Sequence, residues 1–114
     1  MAVATVTIRP SIAGAAFVSG KYVCDSSLTL TPINVGFVPS FVEVWNVTDK
    51  DVYSFWSEDM ADATAITITT ATAAVAANGI TPIAHTDGTN HGFSVGTDAA
   101  VQEASKTYGF RAYR

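Results

Sequence analysis

Apolar and β-branched side chains recur at every second position through most of the chain, in short runs bounded by Gly, Pro, Asn and Asp. A period of two sends alternate side chains to opposite faces of an extended strand, whereas a helix would bring its apolar face back every third or fourth residue. The runs predict strands over residues 3–8, 27–33, 41–48, 51–57, 64–70, 79–85, 91–95 and 107–113. About eight short strands in 114 residues imply an all-β, antiparallel fold, a β-sandwich or jelly-roll-like single domain over residues 1–114. Residues 1–20 remain available as an N-terminal arm.

Turn chemistry agrees with these boundaries. Asp49-Lys50 separates two aromatic runs by a gap short enough for a hairpin, and Asn78-Gly79 and Asp87-Gly88 are strong turn dipeptides. Within residues 36–46, GFVPSFVEVWN, Pro39 stands where a strand starts and no ladder donor is needed. From there Phe41 and Trp45 point to one face and Val42 and Val44 to the other, with Glu43 calling for a partner's positive charge. The four aromatics Trp45, Tyr53, Phe55 and Trp56 read as core, with one exposed platform as the other option. Residues 61–77 are ambiguous: the first half alternates Ile with Thr and the second half is mostly Ala, which favours strand and loop over a helical turn. An uncharged, β-prone run of this kind needs cover, including from another subunit.

Charge changes the picture more than length does. Charged residues make up 14% of the chain against an average of about 25%, so much of the surface is neutral and resists association poorly. The net charge is −4, and the six Lys and Arg form no basic stripe, which disfavours nucleic acid as a partner. No basic and apolar leader and no long apolar span is visible, so the reading is a chain made in the cytoplasm with no membrane partner. The single cysteine, Cys24, reads as a buried structural thiol.

Candidate chemistry is sparse. His85, Asp87 and His91 are metal-ligand types, but zinc needs three or four ligands in a fixed frame, and this turn-rich stretch reads as a solvated loop. Glu58-Asp59, and Asp49 with Asp51, read as turn acids. Gly92-Phe93-Ser94-Val95-Gly96 matches the G-x-S-x-G pattern, with residues 98–105 as a short helix after it, yet no histidine follows Ser94. A strand ending in a glycine turn is the simpler reading. The sequence therefore assigns no catalytic residue, no cofactor and no metal.

One resemblance adds to this. Gly36-Phe37-x-Pro39-Ser40-x-Val42-Glu43-Val44-x-Asn46, Trp56-x-x-x-Met60, Gly79-Ile80-Thr81-Pro82, residues 91–98 HGFSVGTD, and Tyr108-x-Phe110-Arg111-Ala112-x-Arg114 together resemble small structural proteins of tailed bacteriophages, most of all capsid decoration, or cement, proteins. The likeness covers residues 36–114. It implies a β-rich virion protein on the capsid surface, made in the host bacterium, whose partners are the major capsid protein and its own copies as a dimer or trimer. A receptor- or glycan-binding module of a tail fibre or baseplate is the alternative. On this reading the carriers are interface residues: Ile8, Arg9 and Ile12 near the N-terminus, Glu43, and Thr67 and Thr69 flanking Ile68.

Overall fold

A computed structural model describes residues 5–8, 17–84 and 91–114. Arg9, Ile12, His85 and Asp87 lie outside the described residues, and Ile8 ends the first strand. The chain is all-β, as the period of two requires. Its strands are β1 (Thr5–Ile8), β2 (Phe17–Val23), β3 (Thr31–Asn34), β4 (Phe41–Asn46), β5 (Tyr53–Ser57), β6 (Thr64–Ile68), β7 (Thr72–Ile83), β8 (Gly92–Val95) and β9 (Thr107–Tyr113). All pair antiparallel in one continuous sheet, in the order β1-β2-β9-β4-β5-β6-β7-β8-β3.

The sheet is strongly curled. Phe93 on β8 and Phe110 on β9 stand five strands apart in the sheet order, roughly 24 Å in a flat sheet. Their ring centroids are nevertheless 5.4 Å apart, edge to face. The sheet therefore bends until its two wings meet, and the inward residues of both form one core. Tyr22, Val42, Val44, Trp56, Ile80, Phe93, Val95, Tyr108, Phe110 and Ala112 are all buried there.

The bend is made within β7. Thr72–Val75 pair with β6, Ile80 pairs with Thr64 of β6 across a register shift, and Ile80–Ile83 pair with β8, so residues 76–79 form a bulge where β7 passes from one partner to the next. The dipeptide expected to end a strand, Asn78-Gly79, instead turns a corner inside one. Asn78 takes a left-handed φ of 61°, and a Cβ on Gly79 would come within 2.5 Å of the Thr64 carbonyl oxygen. Gly79 N–H donates to the Ala63 carbonyl, and Gly96 N–H donates to that of Gly79, so the corner's backbone groups stay paired. Residues 72–77 are strand, not helix.

Residues 97–106 cross the end of the core between β8 and β9. The short helix expected over 98–105 is a single turn in which Asp98 accepts from Val101 N–H, Gln102 N–H and, through Oδ1, Ala100 N–H. It stops because its carbonyls serve the core instead: Ala99, Ala100 and Val101 accept from the Tyr108, Ser54 and Tyr22 hydroxyls at 2.8, 2.8 and 2.6 Å. Gln102, 1% exposed, donates to the Thr29 and Gly96 carbonyls and so ties this crossing to the approach to β3. The expected β4–β5 hairpin is present, with Trp45 opposite Tyr53 and Asn46 accepting from Asp49 N–H at 2.7 Å. β2 begins at Phe17, paired with β9 along its whole length and with β1 from Gly20 to Val23. Cys24 is buried, as expected.

Two expectations follow. Phe93→Ala removes the ring that joins the wings and should cost about 3–5 kcal/mol in denaturant unfolding, against under about 1 kcal/mol for the exposed Ile68→Ala. Burial holds the Tyr22 phenol well above its ordinary value, and burial followed by the Glu103 charge does the same to Tyr108. Their neutral forms are favoured in the fold, so their contribution is complete below the unfolded tyrosine value of about 10 and is lost as pH rises beyond it. The urea midpoint should therefore fall between pH 8 and pH 11, with no matching fall from pH 8 down to pH 6 if these phenols are the cause.

Candidate functional site

The outward side chains of β2, β9, β4, β5 and β6 line up across the convex face in three rows fixed by the pairing register. The first is Phe17, Tyr113, Phe41 and Ser57; the second Ser19, Arg111, Glu43, Phe55 and Ile66; the third Lys21, Gly109, Trp45, Tyr53 and Ile68. Ring contacts run through the face without a break: Phe17 to Tyr113 at 5.8 Å, Tyr113 to Phe41 at 5.6 Å, Phe41 to Phe55 at 5.9 Å and Phe55 to Tyr53 at 6.2 Å. None of these five is buried, and Phe17 is 46% exposed. Val23, Val47 and Ile68, also exposed, extend the apolar character around the rows.

A polar cluster sits in the middle. Arg111 lies over the Trp45 ring, 5.9 Å from its centroid, and approaches Glu43 at 3.8 Å. Tyr53 donates to Glu43 Oε2 at 2.7 Å. Burial, and then this bond to the carboxylate, push the Tyr53 phenol well up from its ordinary range. Trp45 itself lies across Gly109, where a Cβ would be 2.7 Å from the indole, so the missing side chain is what lets the ring lie flat. A shallow groove runs along each side of the indole: one of about 600 Å³ toward Lys50, Asp51, Tyr53 and Thr69, the other of about 540 Å³ toward Ser19, Lys21 and Arg111.

The residues singled out by sequence distribute unevenly. Glu43 is on this face, but the positive charge it called for is Arg111 of the same chain. Thr67 points inward, its hydroxyl 2.9 Å from that of Ser54, while Thr69 borders a groove. Of the aromatics read as core, Trp56 is buried and donates to the Ala61 carbonyl; Trp45, Tyr53 and Phe55 are on the outer face. Both faces of β4 and β5 are apolar, and a period of two does not say which set turns inward. Phe17 and Tyr113 were not singled out; their signal was lodged in the register that sets them opposite Phe41.

Elsewhere, carboxylate oxygens of Asp49, Asp51 and Glu103 lie within 4.8 Å of one another. Lys106 pairs with Asp49 at 3.3 Å, and the Asn46 amide donates to both Asp49 and Glu103 at 3.4 Å. These groups offset the cluster's charge. Ser94 is buried inside β8 between Pro32 and Thr81, so the G-x-S-x-G pattern here lies along a strand and not on a strand-to-helix elbow. His91 precedes β8, and its carbonyl accepts from Val35 and Gly36 N–H.

The fold and face define an all-β domain with a curved aromatic outer surface. No protein-family model matches the chain, and no curated protein or solved structure matches it either.

Gly109→Ala should unseat the Trp45 indole while leaving the core intact, because the atoms in the way belong to the free end of a side chain. The expected result is a changed Trp45 fluorescence with a stability loss under about 1 kcal/mol. Gly79→Ala, which meets backbone, should cost more than about 2 kcal/mol in the same assay.

Proposed function

We propose that this chain is a virion structural protein of a tailed bacteriophage, a decoration or cement protein that binds the outside of the assembled head and stabilises the joints between capsomers. The observation that carries the reading is the continuous run of ring contacts on the convex face, Phe17, Tyr113, Phe41 and Phe55, with Phe17 exposed and the other three half-buried. Aromatic residues and Arg are the types enriched where proteins dock, and a patch this continuous is unusual on a surface meant to stay solvated. The resemblance of residues 36–114 to phage structural proteins supplies the partner: the major capsid protein, with further copies of the chain as a dimer or trimer.

The mechanism is mass action. A protein that binds the assembled shell and not its free subunits draws the equilibrium toward the shell, and weak contacts repeated over a lattice add up. The low charge suits such a role, because few ions must be stripped of water on docking. On the same reading the folded-over sheet, with β8 facing β9 across the core, is a sandwich-like variant built from one sheet.

A second reading, a receptor- or glycan-binding module, is favoured by the Trp45 indole lying flat between two grooves. Copy number separates the two. Incubated with heads that lack decoration, the chain should bind at many copies per particle, and Phe41→Ala with Phe55→Ala should weaken binding more than about tenfold without unfolding the domain. Saturation at a few copies per particle, with binding to host cells in isolation, would sink the cement reading.

A further inference from the structure

We propose that the groove between β2 and β4 is a carboxylate-binding site, filled by an Asp or Glu side chain that the docking partner presents. The inference rests on the docking role above and names what the partner must offer.

The groove's floor is Gly109, with Lys21 opposite it on one side and Trp45 on the other. Its polar side chains are nearly all donors: the Lys21 ammonium, the Arg111 guanidinium, the Trp45 indole N–H and the Ser19 hydroxyl. Among the described residues no carboxylate lines it. The chain has six Lys and Arg against ten Asp and Glu, and two of those six cations share this one groove. Lys21 is in neither ion pair among the described residues.

Arg111 is held ready. Its guanidinium rests over Trp45 and reaches Glu43 only at 3.8 Å, and its side chain remains 53% exposed. A planar fork fixed on an aromatic face loses little freedom when it engages a carboxylate, and two parallel N–H donors match the two oxygens. The lining favours a protein carboxylate over an acidic sugar for two reasons. Sugar hydroxyls ask for acceptors as well as donors, and only Ser19 Oγ offers one from a side chain there. The groove also opens onto Val47, and the same face carries the aromatic rows, a surround that fits the apolar flank of a folded partner.

The test titrates the full-length, ¹⁵N-labelled chain with three probes: an end-blocked Gly-Glu-Phe-Glu-Gly peptide, the same peptide with Gln for Glu, and a glucuronic acid disaccharide. The Trp45 indole N–H resonance, assigned with Trp45→Phe, is the readout. The Glu peptide should shift it saturably and less so in high salt, and Lys21→Gln should weaken that binding at least about fivefold. Arg111→Gln should weaken it too, but it also frees Trp45, so Lys21→Gln carries the decision. Equal shifts from the Gln peptide, a response to the disaccharide alone, or Lys21→Gln binding like the parent chain would each overturn the site. The titration needs no shell, so a failure to bind heads counts against the cement reading, and a silent peptide counts against the groove.

Discussion

Among the described residues the sheet has nine strands and no helix to cover it, so it has a core only if it closes on itself. The contact between Phe93 and Phe110 is where this one does. Once the wings meet, Phe110 of β9 has Phe93 of β8 opposite it in one core, and the crossing at residues 97–106 is tied to that core through Tyr22, Ser54 and Tyr108. The corner in β7 makes the meeting geometrically feasible, and it needs Asn78 in a left-handed conformation beside a residue with no side chain. The hydroxyls of Tyr22, Ser54 and Tyr108 then reach the crossing's carbonyls, so an irregular segment is held without regular hydrogen bonding of its own.

The same closure decides what the outer face becomes. With the core filled by one set of alternate residues, the other set on the same strands has no second layer among the described residues to pack against. Phe17, Phe41, Phe55 and Tyr113 consequently pack on one another, side by side across the register. A face of this kind is an energetic remainder: each ring hides one edge against its neighbour and leaves the other toward water. Its curvature follows from the bend that closes the core, so the shape of the candidate surface and the stability of the fold are one property.

How much of this was legible depends on the element. The β4–β5 hairpin and β9 were plain in the sequence because their runs are rich in aromatic and β-branched residues and the hairpin's turn is polar. β2 was not, because one of its inward positions is Gly20, which carries no apolar signal, and Lys21 interrupts the run. The corner in β7 was hidden for a different reason: Asn-Gly is as suited to a bend within a strand as to a turn between two, and only the partners on either side distinguish them. The seat of Trp45 was beyond reach altogether, since it depends on Gly109 standing opposite it in a pairing between residues far apart in the chain. Glu43 was read as calling for a partner's positive charge, whereas the register sets Arg111 of the same chain beside it.

An exposed aromatic sheet face is also a hazard, because flat apolar β surfaces and open edges invite indiscriminate pairing. Two features of this chain oppose it. Glu43 and Arg111 sit in the middle row, between the rings of the first row and the indole of the third, so a surface that covered the whole patch would have to satisfy a partly hydrated ion pair. At one edge of the sheet, β3 is only four residues long and carries Pro32, which lacks a ladder donor. A random apolar surface therefore gains the rings and loses the hydration of the charges. A partner shaped to the curve, with apolar groups over the first row and a charge-competent group over the second, gains both, and that difference is a physical basis for selectivity on a face with so few polar contacts to offer.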